Sequence, residues 1–199
     1  MWREVVELSR PKNVVLAAIT VPLGAHQELG GVWSFQALGL VTLQTTSAIC
    51  FMAAGNTLND VSDAAIDKVA KPHRPIPSER ISIANANKVA YLFSFLSALC
   101  MAAAIPFTDE IYPLILIWTL AALLMYTYDA GPQTKKLGLI GNIAISLMVG
   151  AVIVYGAAAV SLATTPIVLF AAGVAFFANL AREIIKDCED MESDEGRNT

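Results

Sequence analysis

The chain has 199 residues, of which 56% are hydrophobic and only 15% are charged. Soluble globular domains are nearer about 45–50% apolar and about 25% charged. The composition therefore excludes an ordinary soluble domain and indicates a protein embedded in membrane lipids. The net charge of −4 is small and says little by itself. We expect no nucleic-acid partner, and no protein partner is evident from the sequence.

Six apolar stretches follow one another along the chain, and each predicts a membrane-spanning helix. They are Val14–His26, Phe35–Ala54, Ile83–Pro106, Ile111–Tyr128, Leu139–Val160 and Pro166–Ala181. The first is short and is interrupted by Pro22, but no cleavage site follows it, so it is not a signal peptide. The second is expected to continue into the charged segment after it. We predict an all-α, polytopic transmembrane helical bundle, with residues 1–199 forming a single domain.

The basic residues alternate between the connections of this bundle. Of the 13 Lys and Arg, Lys88 lies near the start of the third span, and the other twelve lie before the first span, between the second and third, between the fourth and fifth, or after the sixth. Because basic loops stay in the cytoplasm, this alternation places the N-terminus and all charged motifs on the cytoplasmic side of the cell membrane.

Two acidic motifs with identical spacing follow the second and the sixth spans. Both read D-x-x-D-x-x-x-D, and Asn56 or Glu183 stands four residues before each. Their members are Asp60, Asp63 and Asp67 in the first and Asp187, Asp190 and Asp194 in the second. If the helix persists through a motif, offsets of 0, 3 and 7 residues place its three carboxylates on one face. A single triad could be a solvated helix end, but two matching triads on one side of the membrane indicate a site.

Six facing carboxylates would repel one another unless cations neutralise them. Mg²⁺ prefers oxygen ligands and binds through one or two carboxylates together with phosphate oxygens, so a diphosphate bridged by Mg²⁺ would suit the two motifs. Lys71 and Arg74 lie on a segment stiffened by prolines, and Lys135 and Lys136 lie on another cytoplasmic loop. These cations could bind phosphate oxygens directly, or they could simply anchor the cytoplasmic side.

These residues resemble the motifs of the UbiA-type intramembrane prenyltransferases. The first motif is Asn59, Asp60, Asp63 and Asp67, followed by Lys71 and Arg74. The second is Asp187, Asp190 and Asp194, and the loop "YTYDAGPQTKKLGLIGN" between them carries Tyr128 and Lys135. The resemblance implies Mg²⁺-dependent transfer of a polyprenyl group from its diphosphate to a lipid-like acceptor. It implies that the six aspartates and Asn59 bind metal, and that Asn56, Asn59, Lys71, Arg74, Tyr128 and Lys135 contact the substrate.

Within the family, "RPIPSERIS" and "REIIKDCED" look most like the archaeal enzymes that add a second geranylgeranyl chain to geranylgeranylglyceryl phosphate in ether-lipid synthesis. A tetrapyrrole or an aromatic quinone precursor remains the alternative acceptor. A membrane transporter is the alternative from another class, although transporters tend to carry charges near the membrane midplane rather than at helix ends. The family has nine membrane helices, so we expect a C-terminal part of the bundle to be missing from these 199 residues.

Overall fold

A computed structural model describes residues 2–161 and 165–195, with side chains described as far as residue 189. Eight α-helices follow in chain order: α1 (Trp2–Ser9), α2 (Pro11–Glu28), α3 (Phe35–Ser62), α4 (Ala64–Ala70), α5 (Ile83–Ala104), α6 (Ile111–Asp129), α7 (Leu139–Ala158) and α8 (Pro166–Glu195). Short 3₁₀ turns follow α5, at Ile105–Phe107, and precede α7, at Thr134–Lys136. The all-α prediction is confirmed.

Five of the described helices are long and apolar enough to cross a membrane: Phe35–Ser62, Ile83–Phe107, Ile111–Asp129, Leu139–Ala158 and Pro166–Glu189. They correspond to the second to sixth predicted spans. The first predicted span lies within α2, which continues through Pro22 without a break. α2 is not among the five, so the sixth membrane crossing remains a prediction.

The helices pack closely where small residues replace larger side chains. A Cβ atom on Gly24 of α2 would lie 2.1 Å from the carbonyl oxygen of Ile153 in α7. A Cβ atom on Gly156 of α7 would lie 2.0 Å from the carbonyl oxygen of Val21 in α2. The two backbones therefore touch at a crossing that only glycine permits, as is common between membrane helices.

The helix ends that carry the basic loops are covered by an ordered segment. Leu8 of α1, Ala64 of α4, Ile76 and Ile81 of the proline-rich loop and Ala86 of α5 form one buried cluster. This packing holds the loop between α4 and α5 against the helix ends. The basic residues of that loop are thereby held in place next to the first acidic motif.

The first acidic motif is not carried by one continuous helix. α3 ends at Ser62, Asp63 has non-helical ψ (φ −93°, ψ 3°), and α4 begins at Ala64. α3 does continue into the charged segment, as expected, but the condition of one persistent helix through the motif is not met for the first triad. The second motif does lie within one helix, because α8 continues to Glu195.

Candidate active site

A cavity of about 660 Å³ lies among the long helices. One end carries charged and amide side chains from the ends of α3, α6, α7 and α8 and from their connecting loops. These include Arg10, Asn56, Asn59, Asp63, Lys71, Arg74, Asp129, Lys135, Asn142 and Asp187. The rest of the wall is apolar, with Met52, Ile117, Met125, Met148 and Val152 among its residues. The cavity therefore combines a charged head with an apolar body.

Arg74 joins the first and last aspartates of the first motif. Its Nη1 lies 3.1 Å from Oδ1 of Asp60 and 2.6 Å from Oδ2 of Asp67. Both carboxylates are buried, at 5% and 2% exposure, and neither lines the cavity. Lys71 adds a longer contact of 3.6 Å to Asp67. Because buried carboxylates require a partner, Asp60 and Asp67 serve in this state to hold Arg74 at the cavity wall.

Arg10 is a site residue that the sequence analysis did not identify. Its Nη2 donates to Oδ1 of Asn59 at 2.8 Å and to Oδ1 of Asp60 at 2.5 Å. Arg10 and Arg74 thus meet on the same carboxylate oxygen of Asp60 from two different parts of the chain. In the sequence Arg10 was one of three basic residues before the first span, and only the following proline distinguished it.

The N-terminal segment is fixed to α3 by a further pair of bonds. Asn56 donates through Nδ2 to the carbonyl oxygen of Ser9 at 2.8 Å and accepts from Nδ2 of Asn13 at 3.2 Å. These contacts hold the turn that carries Arg10 against the charged end of the cavity. Asn56 lines that cavity, so it has a structural role there, and its contact with a substrate stays a prediction.

Asp63 turns away from Arg74 and pairs with Lys135. The Lys135 ammonium lies 2.7 Å from Oδ1 of Asp63 and also donates to the hydroxyl of Ser62. It lies 3.3 Å from Oδ1 of Asp129, a buried aspartate that also accepts from Nδ2 of Asn59 at 3.1 Å. The Lys135 loop reaches this position because Gly141 has no side chain, since a Cβ there would lie 2.8 Å from the Lys135 Cα.

Asp129 was also missed by the sequence analysis, although it stands next to the predicted Tyr128. The signal available in the sequence was an acidic residue at the end of an apolar stretch, directly after the predicted site residue Tyr128. Tyr128 itself forms part of the cavity wall, and its contact with a substrate stays a prediction. Together Asp129 and Asn59 connect the end of α6 to the end of α3.

The second motif is represented at the cavity by Asp187. Its Oδ2 accepts from Nδ2 of Asn142 at 2.7 Å, and both residues line the cavity. Glu183, one turn earlier, is buried and is paired with Arg182 and, at 3.8 Å, with Lys186. The side chains of Asp190 and Asp194 lie outside the described residues, so their predicted roles remain predictions.

The described side chains contain no group of three or more His, Cys, Asp or Glu that could hold a metal by itself. Asp63 and Asp187 nevertheless present carboxylate oxygens to one cavity from two different helices. Hard divalent cations such as Mg²⁺ suit such donors and commonly take only one or two carboxylates, with phosphate oxygens completing the coordination. The donor set therefore fits a metal that binds together with a phosphorylated ligand.

The fold and the cavity define a class: an α-helical, multi-pass membrane protein with a charged site at one end of an apolar cavity. The sequence profile of the UbiA prenyltransferase family matches residues 15–199. The chain belongs to the UbiA prenyltransferase family.

Relatives in this family share extensive sequence with the chain. It is 38% identical over 196 residues to a digeranylgeranylglyceryl phosphate synthase of Thermococcus gammatolerans, covering 96% of the chain and 65% of that protein. It is 34% identical over 189 residues to the enzyme of that name from Pyrococcus abyssi, covering 95% of the chain and 64% of that protein. The chain spans 63% to 65% of the length of the curated relatives it matches.

Solved structures have the same arrangement of helices. A structure described as a digeranylgeranylglyceryl phosphate synthase in membranes superimposes with a TM-score of 0.81 at 28% identity, covering 98% of this chain and 65% of that one. A UbiA homologue from Archaeoglobus fulgidus bound to GPP and Mg²⁺ has a TM-score of 0.71 at 23% identity, covering 96% of this chain and 65% of that one. The second likeness concerns the fold alone.

Proposed function

We propose that this protein transfers a geranylgeranyl group from its diphosphate to a lipid acceptor, most suitably geranylgeranylglyceryl phosphate, in the synthesis of archaeal ether lipids. The observation that carries the proposal is the cavity, which has a cluster of basic and acidic side chains at one end and an apolar body. This division matches a molecule with a diphosphate head and a hydrocarbon tail. The 30% to 38% identity to digeranylgeranylglyceryl phosphate synthases supports this choice of substrates.

The basic residues at the charged end are suited to bind the diphosphate. Arg10, Lys71, Arg74 and Lys135 all line the cavity, and each is already held by a carboxylate or amide of the site. Their positions are therefore set before a substrate arrives. Fixed cations aimed at a leaving group stabilise the negative charge that grows on it in the transition state.

The reaction begins when the bond between C1 of the prenyl chain and the diphosphate oxygen breaks, and the electron pair remains on the diphosphate. The acceptor hydroxyl oxygen then bonds to C1, and its proton passes to a carboxylate of the site or to the departing diphosphate. Tyr128 forms the wall beside the allylic cation, whose charge its ring face would favour.

Mg²⁺ bound by Asp63 and Asp187 together with the diphosphate would supply additional positive charge at the leaving group. The Archaeoglobus fulgidus homologue, which shares the fold, was solved with GPP and Mg²⁺ bound. The further predicted ligands are Asn59, Asp60, Asp67, Asp190 and Asp194. Of these, Asp60 and Asp67 would have to release Arg74 before they could bind a metal.

The charged end of the cavity is proposed to face the cytoplasm. The 13 Lys and Arg fall within residues 3–12, 68–88, 135–136 and 182–197, that is, before the first predicted span, around the connection between the second and third, between the fourth and fifth, and after the sixth. Basic loops are retained on the cytoplasmic side during insertion, so the same rule supports the placement of both the N-terminus and the site.

The test is a transfer assay on the complete protein in lipid nanodiscs, with labelled geranylgeranyl diphosphate, Mg²⁺ and a panel of acceptors. We expect labelled product with geranylgeranylglyceryl phosphate and loss of turnover in EDTA. Asp63→Asn and Asp187→Asn should abolish turnover, whereas Asp109→Asn, on an exposed connection remote from the cavity, should not. Transfer only to a tetrapyrrole or an aromatic acceptor would overturn the proposed acceptor. Absence of transfer to every acceptor would overturn the proposed reaction.

A further inference from the structure

A hydrogen-bonded cluster of polar side chains lies at the end of the cavity remote from the charges. Ser47 of α3 donates to the carbonyl oxygen of Ser97 in α5 at 2.9 Å, and the two hydroxyls lie 3.2 Å apart. Trp118 of α6 donates through Nε1 to the Ser97 hydroxyl at 3.0 Å. Tyr155 of α7 donates to the Ser47 hydroxyl at 3.2 Å. We call these four residues the floor.

Two members of the floor face the cavity. Trp118 and Tyr155 line it, while Ser47 and Ser97 are fully buried behind them. Phe51, another lining residue, packs edge-on against the Trp118 ring, with centroids 6.3 Å apart. The aromatic side chains that end the cavity are therefore tethered by hydrogen bonds from behind.

A polar side chain without a partner lies close behind the floor. Gln44 is one helical turn before the lining residue Ala48 on α3 and is fully buried. Neither atom of its amide has a hydrogen-bond partner within the described part of the chain. Gln44 does not line the cavity, so a hydrocarbon chain would reach its amide only by displacing the floor, and an apolar group cannot satisfy that amide.

Joining two helices by hydrogen bonds is a common role for serines in membranes, and the Ser47–Ser97 pair alone would meet it. That role does not explain why two more helices each send an aromatic donor to the same pair. It also does not explain why both aromatic rings form the cavity wall. A rigid end of the cavity accounts for all four residues, because the hydrogen bonds of the floor hold the two aromatic rings in place against a prenyl tail that contacts them.

We propose that the floor sets the greatest length of the prenyl chain that the cavity accepts. This inference rests on the proposed function. The distance along α7 from Asn142, at the charged end, to Tyr155 is about 20 Å, given a rise of about 1.5 Å per residue. An isoprene unit adds four chain carbons, or about 5 Å when extended, given carbon–carbon bonds of about 1.5 Å. About four units therefore fill the distance, and a fifth would press on Trp118 and Tyr155.

The experiment measures the affinity of the complete protein in nanodiscs for prenyl diphosphates of two to six isoprene units. In the wild type, affinity should rise up to about four units and then fall. Trp118→Ala should move the optimum up by at least one unit, whereas Trp2→Ala removes an exposed tryptophan outside the cavity and should leave it unchanged. Ser97→Ala keeps both aromatic rings but removes the acceptor for Trp118, and it should raise the affinity for five units relative to four by at least ~3-fold.

A reciprocal variant keeps the inference testable if Trp118→Ala does not fold. Ala121 lines the cavity three residues after Trp118, one helical turn nearer the charged end. Ala121→Leu should therefore shorten the preferred prenyl chain by one unit. Wild-type affinities that do not fall beyond four units, or optima that stay in place in Trp118→Ala and Ala121→Leu, would overturn the floor and leave the proposed function intact. Failure of every prenyl diphosphate to bind would instead contradict the proposed function.

Discussion

At the scale of single residues, the site depends on cations that are each shared between acceptors. Arg74 contacts two buried carboxylates, and Arg10 contacts a carboxylate and an amide. Burial makes such pairs sensitive to the shape of the donor as well as to its charge, because an unpaired buried carboxylate is strongly destabilising. Substitutions that preserve charge but change geometry are therefore the informative ones.

Arg74→Lys should lower turnover by roughly 10- to 1000-fold, the range seen when one donor aimed at a developing charge is lost. Lysine retains the positive charge, so membrane insertion should survive, but its single ammonium cannot reproduce the planar guanidinium. The measurement is kcat at saturating Mg²⁺ and substrates.

Arg80→Lys is the matched control for Arg74→Lys. Arg80 lies six residues later on the same loop, pairs with Glu7 at 2.7 Å and does not line the cavity. The Arg80→Lys protein should lose some thermal stability with little change in kcat. Equal effects on kcat at the two positions would mean that Arg74 is only an anchor.

Arg10→Gln should raise the KM for the prenyl diphosphate by at least ~10-fold, because it removes a cation from the cavity wall and leaves Asp60 with fewer donors. The control is Lys12→Gln, which removes the same charge two residues away on an exposed side chain. The measurement is the KM for the prenyl diphosphate in both variants, from steady-state kinetics. A similar small change in both would indicate that the Arg10 contacts only attach the N-terminal segment to α3.

At the scale of the elements, the fold relies on helix crossings and on an ion pair that joins two segments over the charged ends of the helices. The α2–α7 crossing places two glycines against carbonyl oxygens of the opposite helix. The ion pair joins Glu7 of α1 to Arg80 of the loop before α5. Each can be tested by a change that leaves the cavity residues untouched.

Gly156→Ala should destabilise the protein by about 1–3 kcal/mol, or prevent folding, because the new methyl group would collide with the backbone of α2. Gly173→Ala in α8 is the control, since a Cβ there meets nothing within 4 Å and alanine favours a helix. Thermal unfolding monitored by size-exclusion chromatography should show a lower midpoint for Gly156→Ala only. Equal midpoints would mean that α2 and α7 can move apart to accept the methyl group without loss of stability.

The Glu7–Arg80 pair should make stability depend on pH. The hydrogen bond from Arg80 lowers the pKa of Glu7 below its ordinary value of 4.5. The contribution of the pair is therefore present above pH 4.5 and is lost as the pH falls through the lowered pKa. Both side chains are about one-third exposed, so solvent screening keeps the effect small.

Glu7→Gln tests this dependence. Its thermal midpoint should be lower than that of the wild type at pH 7, and the two midpoints should converge as the pH is lowered below 4.5. Glu79→Gln, which changes an exposed carboxylate on the same loop, should match the wild type throughout. A difference between Glu7→Gln and the wild type that persists at low pH would contradict the assignment.

At the scale of the whole molecule, five apolar helices and membership of the UbiA family define a multi-pass membrane protein. The side on which the charged end lies can be tested by labelling. In a background without Cys50, Cys100 and Cys188, cysteines at Ser34 and Asp109 should react with an impermeant reagent added from outside intact cells. Cysteines at Ala70 and Gln133 should react only after the cells are opened, and reaction of Ala70 from outside would overturn the proposed orientation.

The sequence alone determined the helical class and the approximate limits of the long helices, because long apolar runs must satisfy their backbone hydrogen bonds internally in lipid. It also indicated two acidic segments and several of the basic residues around one cavity, because equal spacing after an apolar span is a local property that a single chain displays.

Only the tertiary structure decided how the charges pair. Arg10 meets Asp60 across 50 positions of sequence, and Lys135 meets Asp63 across 72. Such contacts depend on where helices cross and where a loop folds back, which no local pattern encodes. The helix break at Asp63 was likewise visible only in the structure. Asp60 lies before it and Asp67 after it, and both pair with Arg74, whereas Asp63 pairs with Lys135. The floor also required the structure, because its four side chains come from four helices that meet only in the folded bundle.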